Sequence, residues 1–538
     1  MTEADLDQNN VGIFLGNPET YGLAPPQAID RIETHASLVF LAGPYAYKIK
    51  HAVKYPFLDF STLEQRHAAL RNELRINRRT APQLYLEVLP ITAGKDGAFH
   101  LSGTGAPAAT VIEWALKMRR FPQENLYEQR ADCGLLSGNE MRQLANTIAA
   151  FHAVADRLLT PAHAVLSLAE VLRDNRAAFA ARPEIFPPGE AEALAQASDA
   201  KLASLSPLLR ARARGGFVRH CHGDLHLRNI VEIEGQPVLF DALEFDDRLA
   251  TIDVLYDLAF LLMDLGKRGL RDHANIVLNA YLDRDGGSGN LLGLAALPLF
   301  LSMRAAVRAK VELLRAGKIS PDKQDEARRE AAAYFALARK FLVAGPPRLV
   351  AIGGLSGSGK SAIARALAAR IGAFPGAVHV RSDVERKRLF GVPPEARLPA
   401  HAYAPEISDQ VYAMCRKRAR LALEAGHSVI VDAVHAKPSE RAAIRALAAG
   451  TGAAFTGLWL DAPPETMRKR VAARAGDVSD ATPEVVEAQL AYDLGKMDFA
   501  MIDTSGTVDD VAAACLTRIG TNPLVPAKAG TQDDEAGR

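Results

Sequence analysis

The 538-residue sequence has few cysteines and almost no net charge. Its four cysteines, Cys133, Cys221, Cys415 and Cys515, lie far apart, which excludes a disulfide framework and is typical of a reducing compartment. Lysine and arginine number 64 against 63 aspartates and glutamates, so the net charge is +1. The sequence therefore provides no whole-chain basic field for bulk nucleic-acid binding.

Long apolar runs are also scarce. The longest, Leu291 to Leu301, contains Gly293 and Pro298 and falls short of the roughly 20 residues that a membrane helix needs. The first five residues are acidic and polar, unlike a signal peptide. We therefore expect a cytoplasmic protein with no membrane partner, and the sequence does not predict its oligomeric state.

What the sequence does contain is typical of folded domains. Hydrophobic residues make up 48% and charged residues 24%, the proportions of soluble globular proteins. The segment Ala344-Gly345-Pro346-Pro347 separates a helical pattern from a strand-like run, because a glycine followed by two prolines ends a helix. This predicts one domain over residues 1–345, a second over 346–520 and a disordered tail over 521–538.

The predicted first domain is an α+β domain with two lobes. Its smaller, strand-rich lobe has two strands within 37–50, a helix over 61–80 and strands over 86–91 and 110–118. The larger lobe, from about 136 to 343, is predicted to be helical apart from a strand–loop–strand segment at 217–241.

The predicted second domain alternates strands with helices. The strands are Leu349–Gly353, Val378–Val380, Ser428–Asp432, Phe455–Leu460 and Phe499–Ile502. Such alternation predicts an α/β domain with a parallel sheet and helices on both faces.

A phosphate-binding motif follows the first of these strands. It consists of Gly354, Leu355, Ser356, Gly357, Ser358, Gly359, Lys360 and Ser361, and it matches the Walker A pattern. Glycines allow successive backbone amides to surround a phosphate, and the following helix adds its N-terminal dipole. We expect Lys360 to reach the β- and γ-phosphates of ATP and Ser361 to bind Mg²⁺.

Two aspartates near the carboxyl ends of later strands fit phosphoryl transfer. Asp432 ends a buried strand and is predicted to hold Mg²⁺ through water, as a Walker B aspartate does. Asp383 follows another strand at the edge of the sheet where ligands bind, and is predicted to accept a proton from a substrate hydroxyl. A helix N-cap is an alternative role for Asp383 and is compatible with the first.

Arg470 and Arg474 lie one helical turn apart and are predicted to neutralise transition-state charge from a lid. A solvated basic helix face is the alternative.

With the Walker A motif and these residues, 348–520 resembles the small-molecule and polynucleotide-end kinases of the P-loop class, including gluconate kinases, adenylate kinases and zeta toxins. The resemblance implies a lid near 468–481 and places Thr504-Ser505-Gly506 near the adenine.

A second set of chemical residues lies in the first domain. His222-Gly223-Asp224-Leu225-His226-Leu227-Arg228-Asn229 has an aspartate and an asparagine five residues apart, the spacing of a kinase catalytic loop. Asp224 is the predicted base and Asn229 a predicted Mg²⁺ ligand. Asp241, which follows the next strand pair, is the second predicted Mg²⁺ ligand.

The small lobe supplies a lysine. Lys48 and Lys50 alternate on one strand and therefore face the same side, and Glu73 in the following helix is a candidate partner. We prefer Lys48 as the phosphate-binding residue.

Residues 30–340 resemble aminoglycoside phosphotransferases and related protein-kinase-like enzymes, which implies ATP in a cleft between lobes and a hinge near 118–121. The sequence Thr34–Ser37 stands where that fold often has a glycine-rich loop.

Two other interpretations concern the larger lobe. His220, Cys221, His222 and His226 contain four potential zinc ligands within seven residues, although adjacent strand residues point to opposite faces. Arg304 and Arg308 lie one turn apart in a helix, where they either face an anionic substrate or form a solvated face.

The sequence thus predicts an ATP- and Mg²⁺-dependent phosphotransferase with two kinase modules that act on hydroxyl groups of small molecules. The order of the modules resembles a bacterial fusion class of ATP-binding proteins. Two alternatives remain: the first module is a nucleotide sensor or scaffold, because it lacks a glycine-rich loop, or the second acts on polynucleotide ends. Arg381, Arg386, Lys387 and Arg388 provide the local charge for the latter.

Overall fold

The computed structural model describes most of the chain. The described residues are 3–24, 27–34, 36–55, 58–94, 97–101, 110–157, 162–316, 321–343, 345–394, 396–473 and 479–520. The predicted tail at 521–538 lies outside them. By their internal contacts the residues form two compact units: Met1–Gly269 with Ala296–Leu342, and Leu270–Ala295 with Val343–Arg538. The domain boundary at 345 stays a prediction, and the grouping of Leu270–Ala295 with the later residues had no signal in the sequence.

The secondary structure is numbered along the chain. The strands are β1 (Asp30–Glu33), β2 (Ser37–Ala42), β3 (Tyr45–Lys50), β4 (Lys54–Tyr55), β5 (Leu58–Asp59), β6 (Tyr85–Ala93), β7 (Phe99–Leu101), β8 (Thr110–Arg119), β9 (Val218–His220), β10 (Ile230–Ile233), β11 (Gln236–Leu239), β12 (Thr251–Asp253), β13 (Arg348–Gly353), β14 (Val378–Arg381), β15 (Val429–Asp432), β16 (Ala454–Asp461) and β17 (Ala500–Asp503).

Helices connect these strands. They are α1 (Glu3–Leu15), α2 (Leu63–Asn77), α3 (Tyr127–Asp132), α4 (Gly138–Val154), α5 (His163–Ala180), α6 (Pro188–Arg214), α7 (Asp247–Ala250), α8 (Val254–Lys267), α9 (Arg271–Asp285), α10 (Ser288–Gly293), α11 (Leu297–Ala316), α12 (Pro321–Leu342), α13 (Lys360–Ala368), α14 (Ser382–Leu389), α15 (Pro405–Glu424), α16 (Pro438–Thr451), α17 (Pro464–Ala472), α18 (Pro483–Leu490) and α19 (Val508–Ile519). Short 3₁₀ turns lie at Pro18–Tyr21, Gln123–Asn125, Leu227–Asn229, Leu294–Ala296 and Ala400–Tyr403.

The small lobe of the first unit is built on an antiparallel six-stranded sheet in the order β1-β2-β3-β8-β6-β7. Side chains alternate between its two faces, so each face has its own core. On one face α1 buries Val11 and Leu15 against Phe40 of β2. On the other, α2 buries Leu70 beside Leu116 of β8 and the strands β10 and β11. The helix α2 begins at a capping box, in which Thr62 and Gln65 satisfy each other's backbone N–H groups.

The large lobe is mainly helical, as predicted. Its α8 is apolar on almost every face and is buried along most of its length. Among the described residues one helical stretch, Ser288–Leu313, is long and apolar enough to cross a membrane, but 78% of its most apolar window is buried inside the protein. A buried core helix passes the same test, so this stretch is weak evidence for a membrane span.

The second unit contains a five-stranded sheet in the order β14-β15-β13-β16-β17. Every neighbouring pair of these strands is parallel. The central strands are apolar and buried, as expected of a parallel sheet that is covered on both faces. Prolines in the first turns of α15, α16, α17 and α18 fix these helix starts. The predicted α/β fold class of this unit and the α+β class of the first are both confirmed.

The topology places several candidate site residues at one edge of this sheet. In the register of the parallel strands, Ile352 of β13 lies opposite Asp432 of β15, which in turn lies opposite Arg381 of β14. The Walker A residues follow β13 directly, and Asp383 follows β14. Residues that are far apart in sequence are thus brought to the carboxyl ends of adjacent strands, where open α/β sheets bind ligands.

Candidate functional sites

In the first unit, two buried aspartates of α8 hold the loop that carries Asp224. The carboxylate of Asp257 accepts hydrogen bonds from the backbone N–H groups of His222 (3.1 Å) and Gly223 (2.9 Å). Asp264 accepts one from the backbone N–H of Leu227 (3.0 Å). Seven residues separate the two aspartates in an otherwise apolar helix, so both face the loop. That spacing is a sequence signal for this role, and our sequence interpretation missed it.

The loop brings Asp224 and Asn229 together. The Asn229 side-chain amide donates to Asp224 Oδ2 (2.9 Å) and lies 3.4 Å from the backbone oxygen of Asp241. His226 Nε2 is 3.3 Å from the same Asp224 oxygen. Burial raises the pKa of Asp224, but His226 and Arg308 outweigh this effect and leave that pKa well below its ordinary value. Asp224 is therefore ionised at neutral pH and able to accept a hydrogen bond from a hydroxyl group.

A line of alternating charges joins β3, α2 and the segment after β11. Lys48 Nζ lies 2.7 Å from Glu73 and 3.1 Å from Asp241. Lys50 Nζ lies 2.6 Å from Glu73 and 2.7 Å from Glu244. Burial lowers the pKa of Lys48, but the carboxylates of Asp241 and Glu73 more than offset this and hold that pKa well above its ordinary value.

The two lysines thus differ in their surroundings. Lys48 contacts Asp241, a predicted Mg²⁺ ligand whose side chain is 43% exposed. Lys50 is 2% exposed and contacts Glu244, a residue without a predicted role. Lys48 is the more exposed of the two lysines, at 13%, and Lys50 is a second cation that contacts Glu73.

Asp241 itself is held by its backbone. Its φ of +56° is rare for a residue other than glycine. The hydroxyl of Tyr85 accepts a hydrogen bond from the Asp241 N–H (3.1 Å), and Asn77 accepts one from the N–H of Ala242 (2.8 Å). Two residues of the first unit therefore keep this carboxylate beside Lys48 and Asn229.

The four residues of the zinc interpretation do not converge in this structure. His222 Nε2 bonds to the Phe240 oxygen (3.0 Å), His220 contacts Arg79, and His226 contacts Asp224. Within the described residues one group of side chains is close enough together to hold a metal ion. It consists of His152, Cys221 and Asp257 and shares only Cys221 with the zinc interpretation. The Asp257 carboxylate already accepts hydrogen bonds from the backbone of the loop that carries Asp224.

The two arginines of α11 also have different surroundings. Arg304 is 6% exposed and lies against the rings of Tyr256 (3.9 Å) and Phe260 (4.6 Å). A solvated position is therefore wrong for Arg304, because the neighbouring apolar helix α8 encloses it. Arg308 is only partly buried and pairs with Glu312 at 2.6 Å.

In the second unit the Walker A residues connect β13 to α13 as predicted. Gly354 and Gly357 have φ values of +141° and +84°, which side chains rarely adopt. A Cβ atom at Gly357 would lie 2.5 Å from the carbonyl oxygen of Met467 in α17. A Cβ atom at Gly354 would lie 2.6 Å from Ser358 Oγ. Glycine is required at both positions by the backbone and by close packing.

The end of this loop meets Asp432. Ser361 Oγ donates to Asp432 Oδ2 at 2.5 Å, and His379 Nε2 lies 3.5 Å from the same oxygen. Burial raises the pKa of Asp432, but the neighbouring His379 ring and the charge of Lys360 outweigh it and leave that pKa well below its ordinary value. His379 is a further residue that sequence interpretation missed.

Asp383 lies in the first turn of α14. Burial raises its pKa, and the nearby Asp432 raises it further against the opposing charge of Arg381. A carboxylate with a raised pKa is a stronger base when ionised, and the role of Asp383 as a base stays a prediction.

A cavity of about 270 Å³ lies beside the phosphate loop. Its lining includes Ser358, Ser361, Arg470, Thr504 and Gly506. Arg470 donates to the backbone oxygens of Ser358 (3.4 Å) and Thr504 (3.1 Å), so α17 contacts both the loop and the residue that follows β17. The predicted partner Arg474 lies outside the described residues.

The basic residues 381–388 form contacts within the second unit. Arg386 donates to the backbone oxygen of Ala402, and Lys387 pairs with Asp480 at 2.8 Å. Arg388 pairs with Glu385. Internal carboxylates and carbonyls therefore engage Arg386, Lys387 and Arg388, which motivated the polynucleotide alternative.

Comparison with known proteins identifies two successive domains, the first of which extends into Leu270–Ala295 of the second unit. Residues 57–292 match the Phosphotransferase enzyme family model, and residues 349–493 match an AAA domain model. Uncharacterized proteins of Mycobacterium tuberculosis and Mycobacterium bovis are 32% identical over 500 residues, which is 91% of this chain and 95% of each relative. The chain belongs to the family of these mycobacterial proteins. In it, a phosphotransferase-family domain precedes a P-loop kinase domain, as the sequence predicted.

Two solved structures are similar to parts of this family member. A choline/ethanolamine kinase family protein from Mesorhizobium loti covers 62% of the chain, with 15% identity and a TM-score of 0.36. The chain covers 99% of that protein. A sugar kinase from Janibacter sp. covers 33% of the chain, with 23% identity and a TM-score of 0.25, and 97% of its own length is covered.

The residues of both units suit Mg²⁺ and ATP, which kinase and P-loop families generally use. Mg²⁺ prefers oxygen ligands, and Ser361 with Asp432 offers a hydroxyl and a carboxylate 2.5 Å apart. In the first unit Asp241 and Asn229 offer a carboxylate and an amide oxygen. The Ser358 hydroxyl is buried without a hydrogen-bond partner, as expected of a loop that is shaped for a polar ligand.

Proposed function

We propose that the protein is an ATP-dependent phosphotransferase with two independent sites, each of which transfers the γ-phosphate of ATP to a hydroxyl group of a small molecule. One observation carries the proposal: each unit by itself brings a lysine, a candidate metal-binding carboxylate and a separate candidate base together. In the first unit these are Lys48, Asp241 and Asp224. In the second they are Lys360, Asp432 and Asp383.

In the first unit Lys48 would hold the α- and β-phosphates of ATP, oriented by Glu73. Asn229 and Asp241 would hold Mg²⁺, which would neutralise phosphate charge when bound. Asp224 would accept the proton of the acceptor hydroxyl as the oxygen attacks phosphorus. The Asn229 amide donates to Asp224 Oδ2 and His226 lies beside the same oxygen, and both would orient the carboxylate for this step.

In the second unit the backbone amides of 354–359 would surround the β-phosphate, with Lys360 on the β- and γ-phosphates. Ser361 and Asp432 would hold Mg²⁺. Asp383 would take the proton of the acceptor hydroxyl, and Arg470 would approach the transferring phosphate from the lid. The cavity beside Thr504 and Gly506 would receive the nucleoside.

Phosphoryl transfer from γ-labelled ATP to a cellular metabolite pool tests the proposal. Asp224→Asn should abolish one set of labelled products and Lys360→Ala another, and the double variant should abolish both. Exposed residues provide matched controls: Asp199→Asn in α6 and Lys417→Ala in α15 should leave both sets unchanged. Labelling that persists in the double variant would contradict the proposal.

The absence of a glycine-rich loop before Lys48 favours one other function, in which the first unit senses nucleotide without transferring phosphate. The sensor predicts that Lys360→Ala removes all labelled products while the first unit still binds ATP. The proposed enzyme predicts that a set of products dependent on Asp224 remains.

A further inference from the structure

The edge strand of the second sheet is completed by a helix from an earlier part of the sequence. An edge strand presents backbone groups that lack a neighbouring strand. The side chains of α9 supply partners to β14 and to the residue before it: Asn279 Oδ1 accepts from the His379 N–H (2.7 Å). Asn275 Nδ2 and Asn279 Nδ2 donate to the Ala377 oxygen (3.1 and 3.2 Å). Two asparagines one helical turn apart therefore replace part of a missing strand.

The rest of Leu270–Ala295 is anchored to the same unit. Arg271 donates to the backbone oxygens of Ala369 and, at 2.8 Å, Gly372. At the other end the His427 ring bonds to the Leu294 oxygen (3.0 Å), and Arg418 donates to the Gly286 oxygen (3.2 Å). These contacts fix α9 on both sides of its asparagines.

A short route leads from Asn279 to the candidate metal ligand. Asn279 accepts a hydrogen bond from the backbone N–H of His379 and thereby sets the position of the His379 side chain, which is only 8% exposed. The His379 ring reaches to within 3.5 Å of Asp432 Oδ2, the oxygen that also accepts from Ser361. Asp383, the candidate base, follows four residues after His379 on the same chain segment.

We propose that Asn279 and His379 are positioning residues that orient the Asp432 carboxylate for Mg²⁺, and that the P-loop site is therefore completed by Leu270–Ala295. The inference rests on the proposed function of the second unit. It also means that a fragment beginning at residue 346 lacks part of its own site. Outer partners of metal ligands typically contribute about 10- to 100-fold to metal affinity.

The test uses the full chain with Lys48→Ala, so that nucleotide binding reports on the second unit. The probe is a non-hydrolysable ATP analogue, titrated with Mg²⁺ and again with EDTA. Asn279→Leu should weaken binding about tenfold with Mg²⁺ and less than twofold in EDTA. Asp272→Asn, exposed in the same helix, is the matched control.

The outcomes separate the inference from the proposed function. If the Lys48→Ala parent binds no nucleotide, the proposed function fails. If the parent binds and Asn279→Leu binds equally well in Mg²⁺, the positioning role is wrong. Equal losses in Mg²⁺ and EDTA would indicate a purely structural role and would also overturn it. Should Asn279→Leu not fold, His379→Leu leaves the backbone bond in place, and it must show the same Mg²⁺-specific loss.

Discussion

Removing the charge of the buried Glu73 carboxylate should destabilise the first unit, because two lysines pair with it. It is fully buried and lies 2.7 Å from Lys48 Nζ and 2.6 Å from Lys50 Nζ. Replacing it by Gln keeps the shape but removes the charge that compensates two buried ammonium groups. We expect the variant to unfold more easily and to lose nucleotide binding at the first site.

The size of the effect follows from the remaining partners. Breaking a buried ion pair typically costs about 3–5 kcal/mol, because an uncompensated charge stays buried. Here Lys48 keeps Asp241 at 3.1 Å and Lys50 keeps Glu244 at 2.7 Å, so the lower end, about 3 kcal/mol, is expected. If the free energy of unfolding falls by about 3 kcal/mol per molar urea, the urea concentration at the unfolding midpoint should decrease by about 1 M.

In the wild type, a low pH should reduce the free energy of unfolding of the first unit in the same way. Burial raises the pKa of Glu73, but Lys48 and Lys50 outweigh it and lower that pKa below its ordinary value. In the unfolded chain the carboxylate protonates first, near pH 4.3. The stabilisation is therefore complete above that pH and is lost as the pH falls through the folded pKa.

The two tryptophans allow each unit to be followed separately. Trp114 lies in β8 and stacks on His67 at 3.7 Å, whereas Trp459 lies in β16. In a Trp459→Phe background, urea unfolding monitored by fluorescence reports on the first unit. The matched control is Glu87→Gln, which removes a half-exposed pair with Lys117 at 3.2 Å and should cost less than about 1 kcal/mol. A midpoint for Glu73→Gln equal to that of the control would refute the reasoning.

Two further predictions concern the second unit, followed through Trp459 in a Trp114→Phe background. Gly357→Ala should abolish nucleotide binding in the second unit and lower its free energy of unfolding by about 1–3 kcal/mol. The reason is that residue 357 has a φ of +84° and that a Cβ atom there would collide with Met467. An unchanged unfolding transition of Trp459 would contradict this prediction. Burial lowers the pKa of His427 to about 4, so the unfolded chain protonates first and stability should fall by about 3 kcal/mol from pH 6.5 to 4. His427→Gln should flatten that slope, and an equally steep slope in the variant would show that another group is responsible.

Local patterns predicted the parts of the sites that depend on short segments. The Walker A residues specify their own backbone through glycine, so their position between β13 and α13 follows from sequence. Alternation along β3 placed Lys48 and Lys50 on one face, and both reach Glu73. The strands of the second sheet lie within one residue of their predicted bounds, because buried parallel strands are short apolar runs.

Residues that act across long separations were not predictable in this way. Asn275 and Asn279 sit in an ordinary helical pattern, and only the tertiary fold brings them to the edge of β14. His379 appears in sequence as one residue of a buried strand, and its proximity to Asp432 depends on the order of strands in the sheet. The burial of Arg304 likewise depends on packing against α8 rather than on the spacing within its own helix.

The central claim is that one chain holds two nucleotide sites, and counting bound nucleotide tests it most directly. Equilibrium dialysis with a non-hydrolysable ATP analogue and Mg²⁺ should give two bound molecules per wild-type chain. Lys48→Ala and Lys360→Ala should each leave one, and the double variant none. A wild type that binds a single nucleotide, or a double variant that still binds two, would contradict the account.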